Sequence, residues 1–297
     1  MSKSRRAELL LVCTTVIWGS TFVVTKDALG GSSPILFVAL RFLAASFILT
    51  LFFFKKLRLL RWEEAKKGVI LGLLIYIGFV AQTIGLQYTT ASKSAFFTGT
   101  LVVFTPIVQL VLERRLPRIG NLLGVIFAAV GLYLLTSPGG SEFNKGDALA
   151  LLCAFLFAVY IVYLDTIPAE QDRFFLTYSQ ILTTGVLAIV CAIFFEDIRF
   201  AGTTSLVVSL LYLTIFATII TTWIQTRFQG DTQPTRAAVI FTLEPVLAAV
   251  IAYFVRGEAL GTIGILGGAI IVTGLLLSEL SDVIPGFNRT ILFSDGG

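Results

Sequence analysis

The chain reads as an all-α membrane protein: ten transmembrane helices forming two inverted five-helix repeats. Three features point there, namely an apolar composition, a regular train of apolar runs, and a match between the two halves. Of 297 residues, 56% are hydrophobic and only 13% charged, against the roughly 25% charged residues of an ordinary soluble domain. A chain so short of surface charge needs lipid as its solvent.

Runs of about 18–23 apolar residues are long enough to cross hydrocarbon as helices. They fall at 7–25, 34–54, 68–87, 93–112, 119–136, 147–165, 174–195, 205–226, 234–255 and 261–279. The first is followed by no small-residue cleavage site, so it reads as a membrane span rather than a leader. Short connections rich in Gly, Pro, Ser and charge separate the runs, as at Ser137-Pro138-Gly139-Gly140-Ser141. The limits drawn are 1–136 for the first repeat, 147–279 for the second and 280–297 for a cytoplasmic tail.

The self-similarity is a series of matches. Adding 143 carries Gln82 to Gln225, Lys93 to Arg236, Ala95 to Ala238, Leu123 to Leu266, Gly124 to Gly267 and Gly131 to Gly274. Near the start, adding 140 carries Leu9, Leu11 and Cys13 to Leu149, Leu151 and Cys153. Each half holds an odd number of spans, so the second copy enters the membrane upside down, an arrangement characteristic of transporters. Orientation follows from Lys and Arg. Sixteen lie on the side of the N-terminus, five on the other (Lys26, Lys93, Lys145, Arg199, Arg256), and Arg41 inside a span. Both termini are therefore expected in the cytoplasm of a bacterial-type inner (plasma) membrane.

Composition also excludes. With no histidine, His-based triads and His zinc sites are absent. Cys13, Cys153 and Cys191 sit in apolar runs without paired spacing and read as buried small hydrophobes. The net charge of +4 comes from loop residues with no aromatic-interleaved stripe, so no nucleic-acid partner is expected. No Walker loop, nucleophile elbow, metal motif or dinucleotide fingerprint occurs, so the chain is expected to be no enzyme and to need no cofactor or metal.

Polar side chains inside spans need a reason. Arg41 is expected to face the bundle or a wet cavity, because Arg near a helix centre costs about 2.5–3.5 kcal/mol to insert. It reads equally as a structural donor to carbonyls or as a solute contact. Glu244, followed at once by Pro245, is the coupling candidate. A carboxyl there is costly to ionise, so taking up and releasing a proton is chemically reasonable, although a kink-stabilising role fits as well. Lys93 reads as an interface anchor or an attractor for an anionic solute, and Arg236 invites the same two readings. In the eighth span Thr214, Thr218, Thr221 and Gln225 recur at helical spacing with Trp223 close by, which suits a wet wall. Gln82 is the symmetric counterpart of Gln225. Tyr76, Tyr160, Tyr163 and Gln180 are weaker candidates, since such groups often only pack. Gly68/Gly72, Gly120/Gly124, Gly257/Gly261 and Gly264/Gly268 have GxxxG spacing. They predict close helix packing on neighbours within the chain or on a second subunit, leaving a homodimer open.

Five motifs together resemble the EamA-type members of the drug/metabolite transporter superfamily. They are Trp18-Gly19-Ser20-Thr21-Phe22, Leu40-Arg41-Phe42, Gly85-Leu86-Gln87-Tyr88-Thr89-Thr90-Ala91-Ser92, Leu243-Glu244-Pro245-Val246 and Gly257-Glu258. The resemblance covers about residues 7 to 279. It implies ten helices, a central cavity for a small-molecule solute between the halves, and export of amino acids or other small metabolites, with Trp18 and Ser20 joining the candidate pathway. One departure stands out: the fourth span reads Phe104-Thr105-Pro106 and lacks a Glu-Pro step, so Glu244 has no symmetric partner. A secondary transporter working by alternating access, exporting a small metabolite or amino acid, is the leading expectation, with a proton-motive cycle through Glu244 as a further and separate one. A passive facilitator and a non-transporting scaffold in the lipid bilayer are the alternatives.

Overall fold

The computed structural model describes residues 3–114, 117–136, 143–256 and 261–280. The Ser137–Ser141 stretch, Gly257-Glu258 and the tail from Ser281 lie outside the described residues, so only Gly261 of the Gly257/Gly261 pair is described. Within them the chain forms thirteen α-helices in order: α1 (Lys3–Ala28), α2 (Pro34–Leu57), α3 (Trp62–Tyr88), α4 (Ala91–Gly99), α5 (Leu101–Glu113), α6 (Ile119–Thr136), α7 (Lys145–Asp165), α8 (Arg173–Phe195), α9 (Thr204–Thr214), α10 (Thr221–Phe228), α11 (Pro234–Phe241), α12 (Leu243–Arg256) and α13 (Thr262–Leu280). A π-helical turn, Ile215–Ile220, joins α9 to α10, and a short 3-10 turn, Gln229–Asp231, follows α10.

Eight helical runs are long and apolar enough to cross a membrane, and two shorter apolar stretches, Ile119–Leu135 and Thr262–Ser278, accompany them. Between 33% and 56% of the residues in the apolar windows of the eight are buried. Much of the rest is exposed and large, including Phe52, Phe194, Phe195, Val111 and Phe254. An exterior of that kind is stable against acyl chains and not against water.

Local chemistry explains where the runs begin. Pro34 opens α2, where its missing N–H costs nothing, and the Glu196 carboxylate accepts the next two orphan donors, Ile35 N–H at 2.9 Å and Leu36 N–H at 2.8 Å. Asn144 and Asp147 form a reciprocal capping box that starts α7. Loop contacts then sort the connections to two ends of the bundle. At the end carrying the N-terminus, Gln171 donates to the Glu64 carbonyl (3.0 Å) and Lys56 pairs with Asp172 (2.9 Å). At the far end Ser33 N–H donates to the Arg199 carbonyl (3.0 Å).

Glycines set the closest packing. A Cβ on Gly68 or Gly72 would meet Ser179, Gln180 and Thr183 of α8 within 3.0 Å, so this GxxxG pair seats α3 on α8. Helices α6 and α13 pack along their length, and there the close approaches are Gly124 to Gly274 and Gly131 to Gly267. The tight packing expected of the fifth and tenth spans is therefore made within the chain, by glycines seven residues apart.

Four spans among the described residues depart from simple helices, the second by a kink at Phe53 near its end and three others nearer their middles. The fourth breaks at Thr100 between α4 and α5, and the ninth at Thr242 between α11 and α12. The second break puts Pro245 in the first turn of α12, where a missing N–H leaves no bond unmade. In the eighth, the π turn makes Thr221 N–H reach Phe216 O. An α-helix would have given that proton to the carbonyl of Ala217.

Candidate functional site

At the middle of the bundle, where α4, the π turn and α11 all end, a cavity is enclosed by residues from most of the spans. Its walls are largely aromatic: Trp18 from α1, Phe42 from α2, Phe79 from α3, Phe157 and Tyr160 from α7, and Phe241 from α11. Its polar groups are few, namely Thr21, Arg41, Gln82, Thr98, Thr222, Gln225 and Glu244. Accessible volume is about 60 Å³. A water molecule needs roughly 10–15 Å³ by that measure, so about four or five fit and a bulky solute does not without widening.

Arg41 is 5% exposed and held from three directions. Its Nε donates to Thr218 Oγ1 at 2.6 Å and its Nη2 to the Ala217 carbonyl at 2.7 Å. The guanidinium carbon lies 4.9 Å from the Phe79 ring centroid and 5.4 Å from that of Phe42. The π turn makes this possible, since the carbonyl it withholds from Thr221 is the one Arg41 takes. Thr218 in turn donates to Leu213 O five residues back (2.9 Å), and Thr214 donates to the Arg41 carbonyl (3.3 Å). Nη1 makes no hydrogen bond among the described residues, which leaves one edge of the cation for the cavity.

Glu244 enters the cavity from the first turn of α12, just past the Thr242 break. Its carboxyl forms no hydrogen bond or ion pair among the described residues. The Cys153 thiol lies close to it. Thr98 accepts from Gln82 Nε2 at 3.2 Å. Gln225 Nε2 donates to Gln229 Oε1 (2.9 Å) and Gln229 Nε2 donates on to the Ile161 carbonyl (2.8 Å), so this amide is oriented by a relay.

The sequence-derived candidates thus divide. Trp18, Arg41, Gln82, Tyr160, Gln225 and Glu244 line the cavity; Ser20, Tyr76, Lys93, Gln180, Thr218 and Trp223 do not. Trp223 is 38% exposed because it sits two residues from Gln225, about 200° around a helix, and so faces outward. Lys93 is bound to Asp147 at 2.7 Å at the far end of the bundle. Gln180 is fully buried between Tyr160, whose hydroxyl donates to it (2.9 Å), and Thr226, to which it donates (2.7 Å). Ser20 bonds with the Tyr212 hydroxyl (2.7 Å), joining α1 to α9. Tyr76 packs half-buried against the main core, as does Tyr163. Thr218 lies behind Arg41 and acts on the cavity through it. Sequence reasoning missed Thr98, Thr222, Leu101 and the phenylalanines of the wall, Phe42, Phe79, Phe157 and Phe241; apolar residues in apolar runs carry no signal that separates a cavity from packing.

Known proteins agree on the class. The chain matches the EamA-like transporter family twice, over residues 5–137 and 144–280. An Archaeoglobus fulgidus protein named "Uncharacterized transporter" is 34% identical over 92% of this chain and 86% of its own length. A Salmonella typhimurium protein named "Probable amino-acid metabolite efflux pump" is 27% identical over 93% of this chain and 95% of its own length. A solved crystal structure, 20% identical, matches with a TM-score of 0.77 over 93% of this chain and 97% of that one, which bears on the fold alone. With all-helical architecture, an apolar exterior and two copies of the family's unit, the chain belongs to the EamA-like transporter family of the drug/metabolite transporter superfamily, and is a multi-pass membrane transporter rather than an enzyme.

Proposed function

We propose that this protein exports a small amphipathic metabolite or amino acid across a bacterial-type inner membrane by alternating access, with the central cavity as the solute site. The observation that carries the reading is the pairing of Arg41 and Glu244 in one aromatic-walled cavity without an ion pair between them. A zwitterion with an apolar side chain matches that arrangement: its carboxylate meets Arg41, its ammonium meets Glu244, and its body meets Trp18, Phe79 and Phe241. The Salmonella relative's name supports the same solute class.

The inverted relation of the halves, taken as 1–136 and 147–279 with 280–297 as the tail, is supported by the contacts of α6 with α13. Gly124 meets Gly274 while Gly131 meets Gly267, and adding 143 carries Gly124 to Gly267 and Gly131 to Gly274. Such reciprocal contacts between antiparallel helices are what a pseudo-two-fold axis between the copies produces. The Lys and Arg count supports cytoplasmic termini.

Purified protein in proteoliposomes tests the reading, with amino acids and related zwitterions screened in counterflow. Arg41→Gln is expected to abolish uptake of carboxylate-bearing solutes, and Glu244→Gln to remove dependence on an imposed pH gradient. Glu244→Gln vesicles that keep the full pH response would eliminate Glu244 as the coupling group. Arg41→Gln vesicles with unchanged solute preference would eliminate the site. Failure of any solute to accumulate against its gradient favours the facilitator alternative.

A further inference from the structure

Two sheltered ion pairs among the described residues lie outside the cavity, and each joins one half of the chain to the other. Glu8 of α1 accepts from Arg236 of α11 at 2.9 Å, at the end of the bundle that carries the N-terminus. Asp147 of α7 accepts from Lys93 of α4 at 2.7 Å, at the far end. The two are related by the repeat. Adding 143 to Lys93 gives Arg236, and Asp147 lies one residue before the position that adding 140 to Glu8 gives. The carboxylate in each case comes from the first helix of its half, and the cation from the span that contains the break.

Both pairs are sheltered. Side-chain exposures are 13% and 0% for Lys93 and Asp147, and 4% and 9% for Arg236 and Glu8. Lys56–Asp172 also crosses between the halves, but at 43% and 33% exposure it is screened by water and holds little. Each sheltered pair is further tied in. Asp147 accepts from Thr89 (2.8 Å), and Lys26 donates to the carbonyls of Leu86 and Thr89 beside it. Arg236 donates to the Ser278 carbonyl (3.0 Å), drawing in α13.

We propose that these two pairs are the two gate latches of the transport cycle, each closing one membrane face by clamping the halves together. This rests on the alternating-access reading. A face opens only if helices from the two halves separate there, and separation at either face must break its own pair. With both pairs made, as here, the cavity has room for only a few waters. In each open state one pair is broken and the other retained. Because the two cations occupy equivalent positions and the two carboxylates lie on the first helix of each half, neutralising one latch tilts the balance toward opening at its face and away from the other.

A cysteine reporter tests this. Cys13, Cys153 and Cys191 are replaced by Ala and Leu101, on the cavity wall, by Cys. An impermeant maleimide is then applied to right-side-out and inside-out vesicles. Lys93→Gln is expected to raise labelling from the far face at least about fivefold and to lower it from the N-terminal face; Glu8→Gln is expected to do the reverse. The charge-swapped doubles, Lys93→Asp with Asp147→Lys and Glu8→Arg with Arg236→Glu, are expected to return labelling toward the parent. They also stand in for any single variant that fails to reach the membrane. Labelling that rises at the wrong face, rises at both, or stays unmoved in variants of a parent that alternates with solute overturns the latch assignment alone. A parent labelled from one face whatever solute is supplied overturns alternating access, and the latches with it.

Discussion

Replacing Thr218 by Val changes almost nothing in size and removes the hydroxyl that accepts from Arg41 Nε at 2.6 Å. Two magnitudes bear on the cost. Hydrogen bonds to charged groups contribute about 1.5–3 kcal/mol, whereas interhelical bonds in membrane bundles average about 0.6 and reach about 1.7 kcal/mol. The second range is lower because a chain unfolded within the membrane finds other partners. Arg41 stays tied to the Ala217 carbonyl (2.7 Å) and to two rings, so the overlap of the ranges, about 1.5 kcal/mol, is the expected loss. That is close to tenfold in the unfolding equilibrium. Two positions on the same face give an internal scale. Thr214 makes a longer bond to the Arg41 carbonyl (3.3 Å) and should lose less on change to Val. The Thr221 hydroxyl is buried with no partner among the described residues, so Thr221→Val should be neutral or stabilising. Equilibrium unfolding in mixed detergent micelles reads all three. Solute affinity should fall in Thr218→Val and hold in Thr221→Val, because only the first frees the guanidinium to reorient. Equal effects at 218 and 221, or a Thr218→Val protein within about 0.5 kcal/mol of the parent, would refute the claim that the π turn and Thr218 hold Arg41.

Two other consequences are independent of transport. A Cβ at Gly131 would sit 2.6 Å from the Gly267 carbonyl oxygen and 2.8 Å from Ile271 N, backbone atoms that cannot give way, while one at Gly261 meets nothing within 4 Å. Gly131→Ala should therefore lower stability by about 1–3 kcal/mol and Gly261→Ala by far less, as melting in detergent would report. Burial of Asp172 works against ionisation but is outweighed by Lys56 and by the N–H groups of Phe174 and Phe175, which hold its carboxyl below the ordinary range. Its contribution is thus present above the unfolded value, about 3.9, and lost as pH falls through the lower folded one. Asp172→Asn keeps a good helix cap and should flatten the acid limb of a stability profile below about pH 4.

What could be read from the sequence follows from the range of each interaction. Spans are legible because hydrocarbon acts on every residue of a run alike, so counting suffices. Arg41, Gln82, Gln225 and Glu244 could be placed on a cavity because a polar group in a span has few other places to go. Lys93 could not be resolved between anchor and solute contact, because the choice depends on Asp147, 54 residues away, and that pairing exists only once the halves dock. Trp223 misled because it neighbours a polar stripe in sequence yet faces outward on the helix. The π turn was hidden too: Thr218 reads as one more polar residue at helical spacing, and only the bond from Thr221 N–H to Phe216 O shows the ladder slipped by one.

The broken spans carry the argument one step further. Adding 143 to Thr100 gives Leu243, the residue after Thr242, so the two breaks sit within one residue of equivalent points. The same offset carries Leu101 to Glu244, and both line the cavity. It carries Arg41 to Thr184, whose hydroxyl donates to the Gly72 and Gln180 carbonyls. Shape is therefore repeated where charge is not: the cavity has one cation, from the first half, and one carboxyl, from the second. A scaffold that can exchange its halves needs the repeated shape. A solute held at one point in one orientation needs the unrepeated charges, since two equivalent poles would bind it equally well either way round. On that logic Leu101→Glu, which copies the carboxyl onto the first half, should lower solute affinity while leaving the helix break intact, and counterflow with the parent solute would measure it.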